Sequence, residues 1–177
     1  MATRVPTVIR NFSVRRIGNP TVFLGTADLE LPTFTALTME LTGAGLLGKS
    51  DVTIPGHFSN LSVKISLHTP DLEYISFHDL DGDIIEARGI IQGKSPDSGK
   101  RYIDAIRVAM RCDGVKTGTP GKLTPGEKAE SSVDLTVDQV FYYLNDQKVL
   151  EWDFYSYVFS VNGKDILAAD RNILAFA

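Results

Sequence analysis

A single cysteine, Cys112, stands in a chain of 177 residues, so neither an internal disulfide nor a multi-cysteine metal site can form. Basic residues are in short supply too: 18 Lys and Arg against 22 Asp and Glu leave a net charge of −4. A protein that grips nucleic acid by its phosphates needs the opposite balance. This one suits a surface past which nucleic acid slides without sticking. No apolar run approaches the roughly 18 residues of a membrane-spanning helix, and Met1 to Arg10 lack the apolar stretch of a secretory signal. The expectation is a protein made and folded in a cytoplasm, with no membrane. His57, His68 and His78 are scattered, and no two have the spacing of a metal pair on one element. Nothing signals a Ser-His-Asp arrangement. Neither an enzyme nor a cofactor or metal site is expected.

What the chain has is alternation. Leu61, Val63, Ile65 and Leu67 point one way and Ser62, Lys64 and Ser66 the other. Val133, Leu135 and Val137 alternate with Asp134, Thr136 and Asp138, and Ile106, Val108, Met110 and Cys112 alternate with Arg107, Ala109 and Arg111. Period two means strands with one buried and one wet face, the habit of antiparallel sheets. Further strands are expected over Asn11–Ile17, Thr21–Leu31, Phe34–Leu41, Ile84–Gln92 and Val140–Leu150. Gly18-Asn19-Pro20, Ser95-Pro96-Asp97-Ser98-Gly99 and Asn145-Asp146 carry the chemistry of hairpin turns. Cys112 to Glu130 lacks periodicity and reads as an extended loop, a length that usually serves binding. Cys112 itself falls on the apolar face and is assigned to the core.

One helix of about three turns is expected after Thr69, its cap, with Pro70, Asp71 and Glu73 in the first turn. Leu72, Ile75 and Leu80 are its apolar stripe and Gly82 its stop. Such a helix closes the open end of a sheet's core. The fold class is mostly β: an antiparallel sandwich or barrel with long hairpins and one flanking α-helix, in a single domain spanning 1–177.

Two motifs invite other chemistry. Gly43-Ala44-Gly45-Leu46-Leu47-Gly48-Lys49-Ser50 fits the phosphate-cradling G-x-x-x-x-G-K-[ST] loop, which needs a helix beginning at Lys49-Ser50. Val52-Thr53-Ile54-Pro55-Gly56 follows instead and does not continue a helix. A Gly-rich hairpin loop is the better account. Asp79-Leu80-Asp81-Gly82-Asp83 opens like a calcium loop, but its sixth and twelfth positions are Ile84 and Ile90 where Gly and a bidentate acid are required. It reads as a polar turn.

Taken in order, short segments resemble the major tail tube protein family of contractile-tailed phages and R-type tailocins. They are Thr7-Val8-Ile9-Arg10-Asn11-Phe12, Leu29-Glu30-Leu31-Pro32 and Gly43-Ala44-Gly45-Leu46, then Gly126-Glu127-Lys128-Ala129-Glu130. Tyr142-Tyr143-Leu144-Asn145, Glu151-Trp152-Asp153, Val161-Asn162-Gly163-Lys164-Asp165 and Arg171-Asn172-Ile173-Leu174 complete the series. The chain departs from the family pattern at Thr33, at Leu46 and around Asp146-Gln147, where the usual Gly is replaced. The resemblance implies a tail-tube fold and a homo-oligomer of hexameric rings, stacked into the inner tube of a contractile tail. It implies two long hairpins per subunit that join neighbouring hairpins into a lumen-lining barrel. Sheath, tape measure, baseplate and tail terminator proteins are the implied partners, with DNA passing through the lumen unbound. The implied location is a virion tail or tailocin particle assembled in a host bacterial cytoplasm.

Exposed strand edges invite pairing, and a ring satisfies them, whereas ring-to-ring contacts do not close and so build a filament. The expected ring contacts are Gly43, Gly45, Leu46, Leu47, Gly48 and Lys49 in the loop Gly43–Gly56, with Thr117, Pro120, Lys122 and Glu127 in the loop Cys112–Glu130. Asp134, Thr136 and Asp138 are expected to line a polar lumen that repels DNA. The alternatives are a type VI secretion tube ring and a ligand-binding β-barrel. The latter needs aromatics on loops, whereas Phe141, Tyr142, Tyr143, Trp152, Phe154, Tyr155, Tyr157 and Phe159 concentrate in strands and toward the C-terminus.

Overall fold

A computed structural model describes residues 4–18, 26–45 and 47–175. The strands are β1 (Val5–Arg16), β2 (Thr26–Glu30), β3 (Ala36–Leu41), β4 (Ser50–Phe58), β5 (Leu61–Leu67), β6 (Asp83–Lys94), β7 (Arg101–Thr119), β8 (Ser131–Leu144), β9 (Gln147–Asp153), β10 (Val158–Val161) and β11 (Lys164–Asp165). Two short helices, α1 (Leu72–Ser76) and α2 (Ala168–Leu174), complete the fold, and a 3-10 turn over Phe77–Asp79 extends α1. The fold is mostly β, and every strand pairing is antiparallel.

The strand β8 organises the sheet. One of its edges pairs with β7. Its other edge is shared: β5 takes Ser131–Val137, and β9 takes Gln139–Leu144. Asp138 sits at the fork, skipped in the β7 register and accepting a hydrogen bond from the Phe154 N–H at 3.0 Å. The sheet therefore divides into two leaves, β2–β5–β8 and β1–β6–β7–β8–β9–β10–β11. The core lies where their apolar faces meet, and Val14, Leu61, Ile65, Ile85, Met110, Leu135 and Val140 are all buried in one cluster. Cys112 joins them as expected, fully buried, and burial pushes its thiol up to about 12.

The predicted helix exists, with corrections. Its cap is Asp71, not Thr69: the carboxylate accepts the Glu73 and Tyr74 N–H groups at 3.0 and 3.2 Å. It makes little more than two turns, counting the 3-10 segment. Its buried face is Tyr74, Phe77 and Leu80, whereas Leu72 and Ile75 face outward. Phe77, with no exposed surface, plugs the end of the core, as the sequence led us to expect of the helix. A second helix, α2, replaces the expectation of one.

Strand boundaries differ where turns and bulges intervene. The first strand starts at Val5, well before Asn11, and Ser50–Gly56 and Cys112–Thr119 are strand where loop was expected. Val140–Leu150 is two strands, because Asn145 and Asp146 both take positive φ, 48° and 63°, and reverse the chain between β8 and β9. Asn19-Pro20 and Thr21–Gly25 lie outside the described residues.

Candidate functional site

The candidate surfaces are two hairpins and two outer sheet faces. The first hairpin, β3–β4, is a separate two-stranded sheet. Met39 pairs with Val52, so Leu37, Met39, Leu41, Val52 and Ile54 share one of its faces, and all are exposed. Its tip holds Gly43, Gly45, Leu47, Gly48 and Lys49; Leu46 lies outside the described residues. Strand β4 begins at Ser50, so no helix follows Lys49 and the phosphate-loop geometry is not formed. Lys49 instead pairs with Glu40 at 2.8 Å across the hairpin.

The hairpin's base is anchored. Phe58 meets Phe34 and Phe159 edge-on at 5.1 and 5.0 Å between centroids, and Trp152 lies 6.4 Å from Phe58. His57 shares a 2.8 Å hydrogen bond with the Tyr157 hydroxyl. Gly56 has φ +74°, and a Cβ there would come within 2.7 Å of the Leu167 side chain. Of the aromatics that concentrate toward the C-terminus, Trp152, Tyr157 and Phe159 thus help hold the hairpin to the body.

The second candidate loop is shorter and more ordered than expected. Thr117 belongs to β7, while Pro120, Lys122 and Glu127 lie in a closed connection between β7 and β8. The Lys122 N–H donates to the Ala129 carbonyl at 2.8 Å, the Ser131 hydroxyl to the Pro120 carbonyl at 3.0 Å, and the Glu127 N–H to the Thr124 carbonyl at 3.1 Å. Gly121, at φ +75°, passes so close to Ala129 that a Cβ would meet its carbonyl oxygen at 1.8 Å.

Asp134 and Thr136 lie on the outer face of the β5–β8 leaf. Asp134 is opposite Lys64 on one side and Thr117 on the other, and Thr136 is opposite Ser62 and Gly114. Sequence reasoning placed Thr117 and Asp134 in different roles, yet they are neighbours. Asp138 stands apart at the fork, where burial pushes its carboxyl up, Asp113 adds to the rise and Arg111 opposes it.

One cluster escaped the sequence. Glu86, 2 % exposed, sits on the outer face of the other leaf beneath three arginines. Arg15 reaches it at 2.6 Å, Arg88 at 2.6 Å and Arg107 at 3.5 Å. Arg107 also lies 3.6 Å above the Tyr143 ring. Burial alone would raise the Glu86 carboxyl, but hydrogen bonds from Arg88 and Arg15 outweigh it and hold the group below its ordinary value. The cluster draws on β1, β6 and β7, and no local motif announces it.

The sheet never closes on itself among the described residues: β1 pairs only with β6, β2 only with β5, and β3 and β4 only with each other. Open rims of this kind, beside hairpins with exposed apolar faces, define a structural subunit whose strands invite partners. The family model for phage tail tube protein FII matches residues 6–174, and the chain belongs to that family. It is a structural protein of a phage tail tube. No curated protein matches the sequence.

Proposed function

We propose that copies of this chain close into hexameric rings by strand pairing, and that the rings stack as the inner tube of a contractile phage tail or related injection particle. The observation that carries this is the unpaired rim of β1, a strand of 12 residues, together with the separate β3–β4 sheet. A lone two-stranded sheet is marginal in water, so a neighbour's strands are the natural completion of both rims. The lumen is a conduit for DNA or the tape measure protein, lined by the polar outer face that carries Asp134 and Thr136, with Asp138 at the fork beside it. Sheath, baseplate and tail terminator proteins complete the particle, which is assembled in the host bacterial cytoplasm. The β3–β4 tip, Gly43 to Lys49, and the Pro120–Glu130 connection serve ring-to-ring contact.

Negative-stain microscopy of the purified full chain tests the reading. Hollow six-fold rings or tubes are expected, and a monomer at every concentration would overturn it. Deleting Gly43–Lys49 is expected to leave a folded chain whose rings do not stack. Normal tubes from that variant would refute the role of the tip.

A further inference from the structure

Beyond the core, β1, β6 and β7 continue together as a three-stranded extension. Val5 lies opposite Lys94, which lies opposite Arg101, and Val8 lies opposite Gln92, which lies opposite Ile103. Side chains alternate along strands, so Val5, Val8, Ile90 and Ile103 share one face. All four are between 43 and 60 % exposed. The rim at the tip carries Lys94, Lys100 and Arg101 against one acid, Asp97, and is basic on balance. Asp104 lies on the other face of the extension, where Arg4 reaches it at 3.5 Å and the Asn145 side chain at 2.9 Å.

The other end of β6 has the opposite character. It starts at Asp83, about 37 Å from Lys94 at the usual rise of an antiparallel strand. There α1 turns Leu72 and Ile75 outward, 82 and 59 % exposed, because Tyr74 and Phe77 occupy its inner face. The acids on and just after α1 are Asp71, which caps the helix, the half-buried Glu73, and the exposed Asp79 and Asp81, while Asp83 is already paired with Arg16. One molecule thus carries two apolar patches at opposite ends of one strand, one with bases beside it and one with acids.

We propose that the apolar face of the β1–β6–β7 extension docks on the outer face of α1 in a second copy, stacking subunits head to tail. The proposal rests on the tube reading above and names which ends of the subunit meet. An apolar centre with a charged rim is the ordinary anatomy of a protein interface, and opposite rims steer the encounter and fix its register. Because the two patches differ, the contact is heterologous and repeats without closing, as a tube requires. The β3–β4 face is the weaker occupant, since Lys49 already neutralises Glu40 and leaves one acid, Asp51, to meet a basic rim.

The test is charge reversal in the full chain, read as pelletable polymer and by negative stain. Lys94→Glu/Arg101→Glu and Asp79→Lys/Asp81→Lys touch only exposed side chains, so both variants are expected to keep the wild-type circular dichroism. Each is expected to lower polymer at least roughly tenfold, and the quadruple reversal to restore it. Wild-type stacking is expected to weaken between about 0.05 and about 0.5 M salt, as screening shortens. Should a reversal fail to fold, Lys94→Gln/Arg101→Gln is expected to fold and to flatten that salt dependence. Tubes from either double reversal, or a quadruple variant as defective as the doubles, would overturn this contact and leave the tube reading standing. A wild-type chain that never associates overturns both.

Discussion

Glu86 illustrates how a charge survives out of water. Its carboxylate is held by guanidiniums that are themselves 38, 54 and 28 % exposed, so the arginines keep part of their hydration while the acid is covered. Folding favours the ionised form, since its folded value lies below the ordinary 4.5. That stability is fully present above about pH 4.5 and is lost as the pH falls through the folded value. Asp83 and Asp165, held low by Arg16 and Arg171, act in the same direction. Asp138, pushed up by burial and Asp113, acts in the opposite one, because acid relieves the cost of ionising it. Glu86→Gln is expected to lower unfolding free energy by about 2 kcal/mol near neutral pH, less than a fully buried pair would lose because the arginines can rehydrate. Denaturant titration should show the gap between variant and wild type shrinking toward pH ~3, and a gap independent of pH would contradict the assignment. The Cys112 thiol, pushed up to about 12 and fully buried, is expected to react with a disulfide reagent only after unfolding. Rapid labelling of the native chain would place it outside the core.

At the scale of elements, legibility followed the faces. Strands β5 and β8 were plain in the sequence because Leu61 to Leu67 and Val133 to Val137 each have one core side and one wet side, and burial alternates with them residue by residue. The segment Ser50–Gly56 was not, because most of β4 has no buried face to impose a period and Pro55-Gly56 reads as a breaker. The end of β7 was obscured by register shifts at Cys112/Gly114 and Val115/Thr117, which scramble the alternation. The helix α2 buries none of its residues, so its sequence carries no stripe. In α1 the helix was legible but its rotation was not: Leu72 and Ile75 looked like the core face, whereas the aromatic rings of Tyr74 and Phe77 take it. That rotation is testable. Phe77→Ala is expected to cost about 3–5 kcal/mol through lost burial and the cavity left behind, while Leu72→Ala stays within about 0.5 kcal/mol in the monomer. Thermal melts of the two variants give the comparison, and equal losses would return Leu72 to the core. Of the candidate surfaces, the glycine-rich tip was legible because turn chemistry is local. The Glu86 cluster was not, since Arg15 and Arg107 stand 71 and 21 residues away in the chain.

For the molecule as a whole, the division between what is finished and what awaits a partner is sharp. The two leaves bury their apolar faces against each other around Ile65, Met110 and Leu135, while the rims of β1 and β2 stay open among the described residues. The β3–β4 sheet is different: among the described residues its strands pair only with each other, its apolar face is open, and its hold on the body includes the aromatic base at Phe34, Phe58 and Trp152. Local stability follows buried contact, so this hairpin belongs to the easily opened part of the structure while the chain is alone. If a neighbouring copy supplies the missing layer, assembly must stabilise the hairpin far more than the core. Hydrogen exchange is therefore expected to be fast for the amides of Ala36–Leu41 and Ser50–Ile54 in dilute monomer and slowed by at least roughly a hundredfold in assembled tubes, a shift of about 2.7 kcal/mol. The amides of β5 and β8 should be protected in both states. A hairpin already as protected as β5 in the monomer would mean that it carries its own stability, and its exposed apolar face would then need another explanation than a second copy.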